Sequence, residues 1–130
     1  MIPQRLLALL LLLAGPASAA IPPELAARAI VGEAAGAPYT VKLGVACAIR
    51  NRNTLRGVYG VTAKHNATEP PRVWREAARA WSESAGRDIT GGADHFGNAR
   101  DVARGTFRGL TLTVILGDGK NRTYFFRRST

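Results

Sequence analysis

One carboxylate stands where a charge is out of place. In the stretch AIVGEAAGAPYT, residues 29–40, Glu33 is surrounded by small and apolar residues. Acidic side chains are rarely buried unless they are paired or put to use. Residues 24–35 read as a helix. On a period of 3.6 residues Ala26, Ala29, Ile30 and Glu33 share one face, while Glu24 and Arg28 point the other way. Glu33 therefore continues the apolar stripe at the C-terminal end of the helix, ahead of Gly36 and Pro38. Partial burial and the negative end of the helix dipole both disfavour its charged form. A carboxyl group kept protonated near neutral pH is a proton donor. The alternative is that the helix ends before Glu33 and the side chain turns into water, and position alone leaves both open.

A second charged residue repeats the pattern. A helix is predicted from Thr40, as N-cap, to about Arg52. Val41, Val45, Ala48, Ile49 and Arg52 share a face, with Arg50 opposite. Arg52 closes that stripe, where it can snorkel outward, pair with an acid or hold a ligand. Cys47, between Val45-Ala46 and Ala48-Ile49, reads as a small core residue rather than a nucleophile. The only histidines, His65 and His95, have no partner at metal-ligand spacing, so neither a metal nor any other cofactor is assigned.

The elements that must position these groups follow along the chain. Residues 53–70 are a loop rich in turn formers. A third helix, about 72–85, carries Trp74, Ala77, Ala78, Trp81 and Ala85 as one stripe. Arg72, Arg75, Glu76, Arg79 and Glu83 form its opposite face. Its two tryptophans suit a core, with stacking on sugar rings as the rival use. DITGGADHFGN then turns into a short strand, LTLTVIL (110–116) alternates as a half-buried strand, and RTYFFRR is a last strand. Helices first and a small antiparallel sheet later make an α+β arrangement.

The ends and the charge place the chain. Residues 1–19 have the form of a secretory signal: Arg5, the apolar run Leu6 to Ala14, the helix breaker Pro16, and Ala17-Ser18-Ala19 as cleavage site. The run is short against the roughly 20 residues of a membrane span. An uncleaved anchor is the other reading, and if the signal is cleaved no stable membrane insertion is expected. Both readings put the working domain, residues 20–130, outside the cytoplasm, in the periplasm, the cell wall or the medium. Cleavage after Ala19 removes one positive charge and takes the net charge from +9 to +8. That balance suits an anionic partner such as a cell wall, a membrane surface or nucleic acid, and equally a solubilising arginine-rich surface. A single cysteine allows no internal disulfide, so the core alone must hold the fold.

The segment ARAIVGEAAGAPYTVKLGVACAIRNR resembles the opening of the spore-cortex-lytic (SleB-type) cell wall hydrolases. The resemblance rests on Gly32-Glu33-Ala34, on Gly36-Ala37-Pro38-Tyr39 and on Asn51-Arg52 closing the second helix. DITGGADHFGN is similar to the family's Thr-Gly-Gly-Ala segment, and RTYFFR to its closing aromatic strand. The resemblance implies a lysozyme-like α+β fold and peptidoglycan glycan strands as the partner. It implies cleavage between N-acetylmuramic acid and N-acetylglucosamine, as lytic transglycosylase, with Glu33 as the catalytic general acid/base. Tyr39, Asn51 and Arg52 would support the site. Thr90, Gly91 and Gly92 would shape the opposite wall, and Asn98 would contact the sugar or cap a turn.

Two departures accompany the likeness. The family's Ile-Gly-x-His before the last strand is replaced by LGDGKNRTYFF, where Asn121 or Arg122 would have to supply the contact. The loop 53–70, part of the expected cleft wall, is compressed. A protein that binds or assembles the wall without cleaving it is the rival reading. A membrane or nucleic-acid binder is the third, and the absence of interleaved aromatic and basic residues before the tail speaks against nucleic acid. Oligomeric state is not legible.

Overall fold

The computed structural model describes residues 20–129; the predicted signal segment lies outside the described residues. Three helices come first: α1 (Pro23–Ala34), α2 (Tyr39–Arg52) and α3 (Pro71–Ser84). A small sheet follows, built from β1 (His95–Gly97), β2 (Leu110–Leu116) and β3 (Thr123–Arg128), with a short helix α4 (Ala99–Ala103) between β1 and β2. The sheet is antiparallel in the order β1-β3-β2, with the last strand in the middle. The α+β arrangement expected from the sequence is the one observed. Among the described residues no helix is long and apolar enough to cross a membrane.

Proline starts all three long helices. Pro22 accepts the amides of Leu25 and Ala26, and Pro38 those of Val41 and Lys42. A proline just before or inside the first turn has its φ already set for the helix and lacks a donor that would go unpaired there. This corrects the expected N-cap of α2. Pro38, not Thr40, occupies the cap, and no side chain caps the helix. Asn53 closes it in the left-handed conformation, its N–H returning to Ile49 O at 2.9 Å.

Helix α2 is the centre of the molecule, buried on every side from Val41 to Ile49. Lys42 lies within that run with only 1% of its surface exposed. Its ammonium donates to Ala37 O at 2.6 Å and pairs with Glu76 of α3 at 3.0 Å. The hydrogen bond from Lys42 is the main reason the Glu76 carboxyl is held below its usual range. Glu76 lies at the edge of the predicted polar face, half-buried, and also pairs with exposed Arg72 at 2.9 Å. A buried ammonium must find a partner, and α3 turns Glu76 toward it.

The buried stripe of α3 is also rotated from the predicted one. It consists of Val73, Ala77, Ala80, Trp81 and Ser84, while Trp74 is half-buried and Ala78 and Ala85 are exposed. Small residues on this line let α3 approach α1 and α2 closely. Arg50, on the other face of α2 from Val45, stacks its guanidinium 3.8 Å over the Trp81 ring and donates to Trp81 O and Ser84 Oγ. In the sheet, a bulge between Leu112 and Val114 breaks the expected alternation of β2. Leu112 and Ile115 are left exposed, and Val114 and Leu116 pack against the core beside the fully buried Phe125. Cys47 is buried as expected, with its thiol donating to Arg87 O at 3.2 Å and its pKa raised, chiefly by burial.

Candidate active site

A cleft of about 740 Å³ runs between the helical half and the sheet, and Glu33 lines it. The carboxylate is reached from the last turn of α1, where the apolar stripe Ala26, Ala29, Ile30 is fully buried. Glu33 Oε1 accepts the backbone N–H of Gly60 at 2.9 Å. Gly60 belongs to a 3₁₀ turn, Tyr59–Thr62, that packs directly on α1.

Glycine is required at both faces of this contact. A Cβ at Gly60 would stand 2.6 Å from Ala29 O, 2.8 Å from Glu33 Cγ and 2.9 Å from Glu33 N. A Cβ at Gly32 would run into the Gly60 carbonyl. Asn66, buried, ties the same turn down by donating to Gly60 O at 2.9 Å and to Arg28 O at 3.3 Å. His65 is bonded through Nε2 to Gly32 O and through Nδ1 to Glu69, both at 3.1 Å. The loop 53–70 is thus a brace for α1, and it supplies Gly57, Val58, Tyr59, His65 and Glu69 to the cleft.

Glu33 is exposed to solvent through the cleft, and only its inner side is crowded, by the Gly60 turn. This loss of water is the largest influence on its pKa and raises it above the ordinary 4.5. The Gly60 N–H works in the opposite direction, and the negative charge of Asp101 adds to the rise. The net effect favours the protonated acid. Asp101 also lines the cleft. It forms a capping box at the start of α4: Asn98 Oδ1 accepts the Asp101 N–H at 2.8 Å, and Asp101 Oδ2 accepts the Asn98 N–H at 3.1 Å.

The other expected site residues divide into two groups. Arg52 and Asn98 line the cleft with Glu33. Arg52 also donates to Arg56 O at 2.7 Å, and Asn98 caps α4. Tyr39, Asn51, Thr90, Gly91 and Gly92 do not line it. Tyr39, the first residue of α2, faces α3, its hydroxyl 3.3 Å from Glu83 and its ring under the Arg79 guanidinium at 4.6 Å. Asn51 and Thr90 serve a loop clamp centred on Asp88. That carboxylate accepts the Thr90 N–H at 2.8 Å, the Thr90 hydroxyl at 2.6 Å, the Gly92 N–H at 2.9 Å and the Asn51 amide at 3.0 Å. Desolvation pushes the Asp88 pKa upward, but these hydrogen bonds outweigh it and leave the group below its ordinary value. Gly91 and Gly92 have φ of +66° and +83°, so the Thr-Gly-Gly-Ala segment is a turn that presents β1 rather than a wall of the cleft.

Several cleft residues carried no sequence signal of their own. Tyr59 is 83% exposed and Phe96 and Phe107 also line the cleft, offering aromatic surface. Gly97 allows Phe107 to close in, since a Cβ there would lie 2.5 Å from Phe107 Cζ and 2.9 Å from Asp101 Oδ2. Lys120, Asn121 and Arg122 reach the cleft from the β2–β3 connection. The last two are the residues that the sequence offered in place of the family's histidine, and both line the cleft. Among the described residues no group of three His, Cys, Asp or Glu is placed to hold a metal ion.

The chain matches no protein-family model, no curated protein and no solved structure. A carboxyl group whose pKa is raised, in a solvent-open cleft with aromatic surface, suits proton donation to a leaving oxygen.

Proposed function

We propose that this protein is an exported enzyme that cleaves the glycan strands of peptidoglycan, at the bond between N-acetylmuramic acid and N-acetylglucosamine. The observation that carries the reading is Glu33: a carboxyl group in a large cleft, pKa raised by desolvation and by Asp101, fixed by the Gly60 N–H. The resemblance of Gly32-Glu33-Ala34 and its surroundings to the SleB-type hydrolases supports the substrate class.

In this reading Glu33 delivers its proton to the glycosidic oxygen, whose low basicity requires an acid that is still protonated at working pH. The C1–O bond breaks with its electron pair on the departing oxygen. In the lytic transglycosylase route the 6-hydroxyl of the muramic acid then attacks C1, and the Glu33 carboxylate takes up the released proton. The product is a 1,6-anhydro end. Asp101 holds a negative charge near the positive charge developing at C1. Lys120 and Arg122, in no ion pair among the described residues, suit the free carboxylates of the stem peptides that the muramic acid carries.

Incubation of the purified protein with peptidoglycan tests this by its products. Anhydro-muropeptides support the transglycosylase route, and new reducing ends mean hydrolysis instead. Protein that sediments with the wall and releases nothing would overturn the enzymatic reading in favour of a wall-binding protein.

A further inference from the structure

The two histidines of the cleft are built differently. His65 has both ring nitrogens engaged, one by Gly32 O and one by Glu69. It is a strut. His95 has only Nδ1 engaged, by Asp94 Oδ1 at 2.8 Å. Its Nε2 makes no hydrogen bond to any described residue, and the ring, about a third exposed, lines the same cleft as Glu33.

An ionised carboxylate only accepts hydrogen bonds, so the proton of a neutral His95 ring belongs on Nδ1. That leaves the lone pair of Nε2 for a ligand in the cleft. The dyad is also held in place. His95 lies in β1 opposite Phe126 of the central strand, and the Asp94 N–H donates to Phe126 O at 2.9 Å. Arg128 Nε stands 3.6 Å from the second oxygen of Asp94. A carboxylate that fixes the tautomer and ring orientation of a histidine is the arrangement that general-base catalysis needs.

We propose that His95, oriented by Asp94, is the base that takes the proton from the attacking hydroxyl in this cleft. This deepens the reading above and rests on it, with one step changed: His95, in place of the Glu33 carboxylate, receives the proton of the attacking hydroxyl. Glu33 gives its proton to the leaving oxygen as the C1–O bond breaks. The attacking oxygen forms its new bond to C1, and its proton passes to His95 Nε2. The imidazolium then releases that proton to solvent and Glu33 takes one up, which restores both groups.

The test compares the parent with His95→Gln, Asp94→Asn and Glu33→Gln on peptidoglycan across pH. His95→Gln is expected to lose about 10²–10⁴-fold in kcat with little change in KM. Asp94→Asn should weaken catalysis less, since the ring remains but its tautomer is no longer fixed. A His95→Gln protein that cleaves at the parent's rate with the same pH profile, beside an inactive Glu33→Gln, overturns this inference and leaves the enzymatic reading standing. A fully active Glu33→Gln removes that reading, and the inference with it. Nitrogen NMR of the parent's imidazoles needs no variant to fold. Hydrogen on Nδ1 of neutral His95 is the expected result, and hydrogen on Nε2 contradicts the proposal.

Discussion

The amide of Gly60 meets the carboxylate of Glu33 at 2.9 Å, across a contact with no room for a Cβ at Gly60 or at Gly32. The pair defines the geometry of the cleft. A loop 27 residues further along the chain returns to α1 and fixes the rotamer of the acid. Asn66 and His65 keep that loop in place through backbone carbonyls of Gly60, Arg28 and Gly32.

Gly60→Ala should therefore be costly beyond its size. Its methyl group would press on the backbone of Ala29 and Glu33, and overpacking of this kind costs about 1–3 kcal/mol. The expected result is a lowered midpoint of urea unfolding together with a loss of cleavage rate, because relief of the clash moves Glu33. Unchanged stability would show that the turn yields freely.

Tyr59 offers the opposite test, since it is almost wholly exposed at the edge of the cleft. Tyr59→Ala should leave the melting temperature nearly unchanged. If sugar rings stack on it, KM should rise by roughly fivefold to tenfold, equivalent to about 1 kcal/mol of aromatic contact. Steady-state kinetics on solubilised glycan strands would measure this. A stable variant with the parent's KM would exclude Tyr59 as a platform.

The Asp88 clamp should behave as structure, not as substrate contact. Asp88→Asn puts an amide where four donors converge and should destabilise the fold by about 1–3 kcal/mol. The folded fraction should keep the parent's KM. A raised KM without loss of stability would return Asn51, Thr90 and Gly92 to the binding surface.

The sequence showed the acid and missed its support, for identifiable reasons. Glu33 stood out because an acidic residue extended an apolar stripe, a local pattern that the helical period exposes. The strands at 110–116 and 123–128 were legible from β-branched and aromatic runs bounded by glycine turns. Lys42 was not legible as core, because its burial depends on Glu76, 34 residues away, being turned toward it. Tyr39, Asn51 and Thr90 share motifs with the acid but face other elements. The Asp94–His95 dyad and the Asp101 charge depend on the path of the chain between Gly92 and Gly109, where short turns give little periodic signal.

The raised pKa of Glu33 also has a thermodynamic signature. Its folded pKa lies above the ordinary 4.5, so between these values the folded state binds more protons than the unfolded one. Stability contributed by this group is full below about 4.5 and falls as pH rises through the folded pKa. Denaturant titrations from acid to neutral pH should show that decline in the parent. Glu33→Gln, which cannot ionise, should lack it, and an identical pH dependence in both proteins would contradict the raised pKa.

The cleavage rate of Glu33→Gln on purified peptidoglycan tests the central claim most directly. The amide preserves the shape of the side chain and removes the proton to be delivered. The account predicts a folded protein whose rate is lower by at least about 100-fold, in line with the loss of a general acid. It predicts in addition that the parent's activity declines as pH rises and Glu33 loses its proton. A folded Glu33→Gln protein that solubilises peptidoglycan as fast as the parent would contradict the assignment.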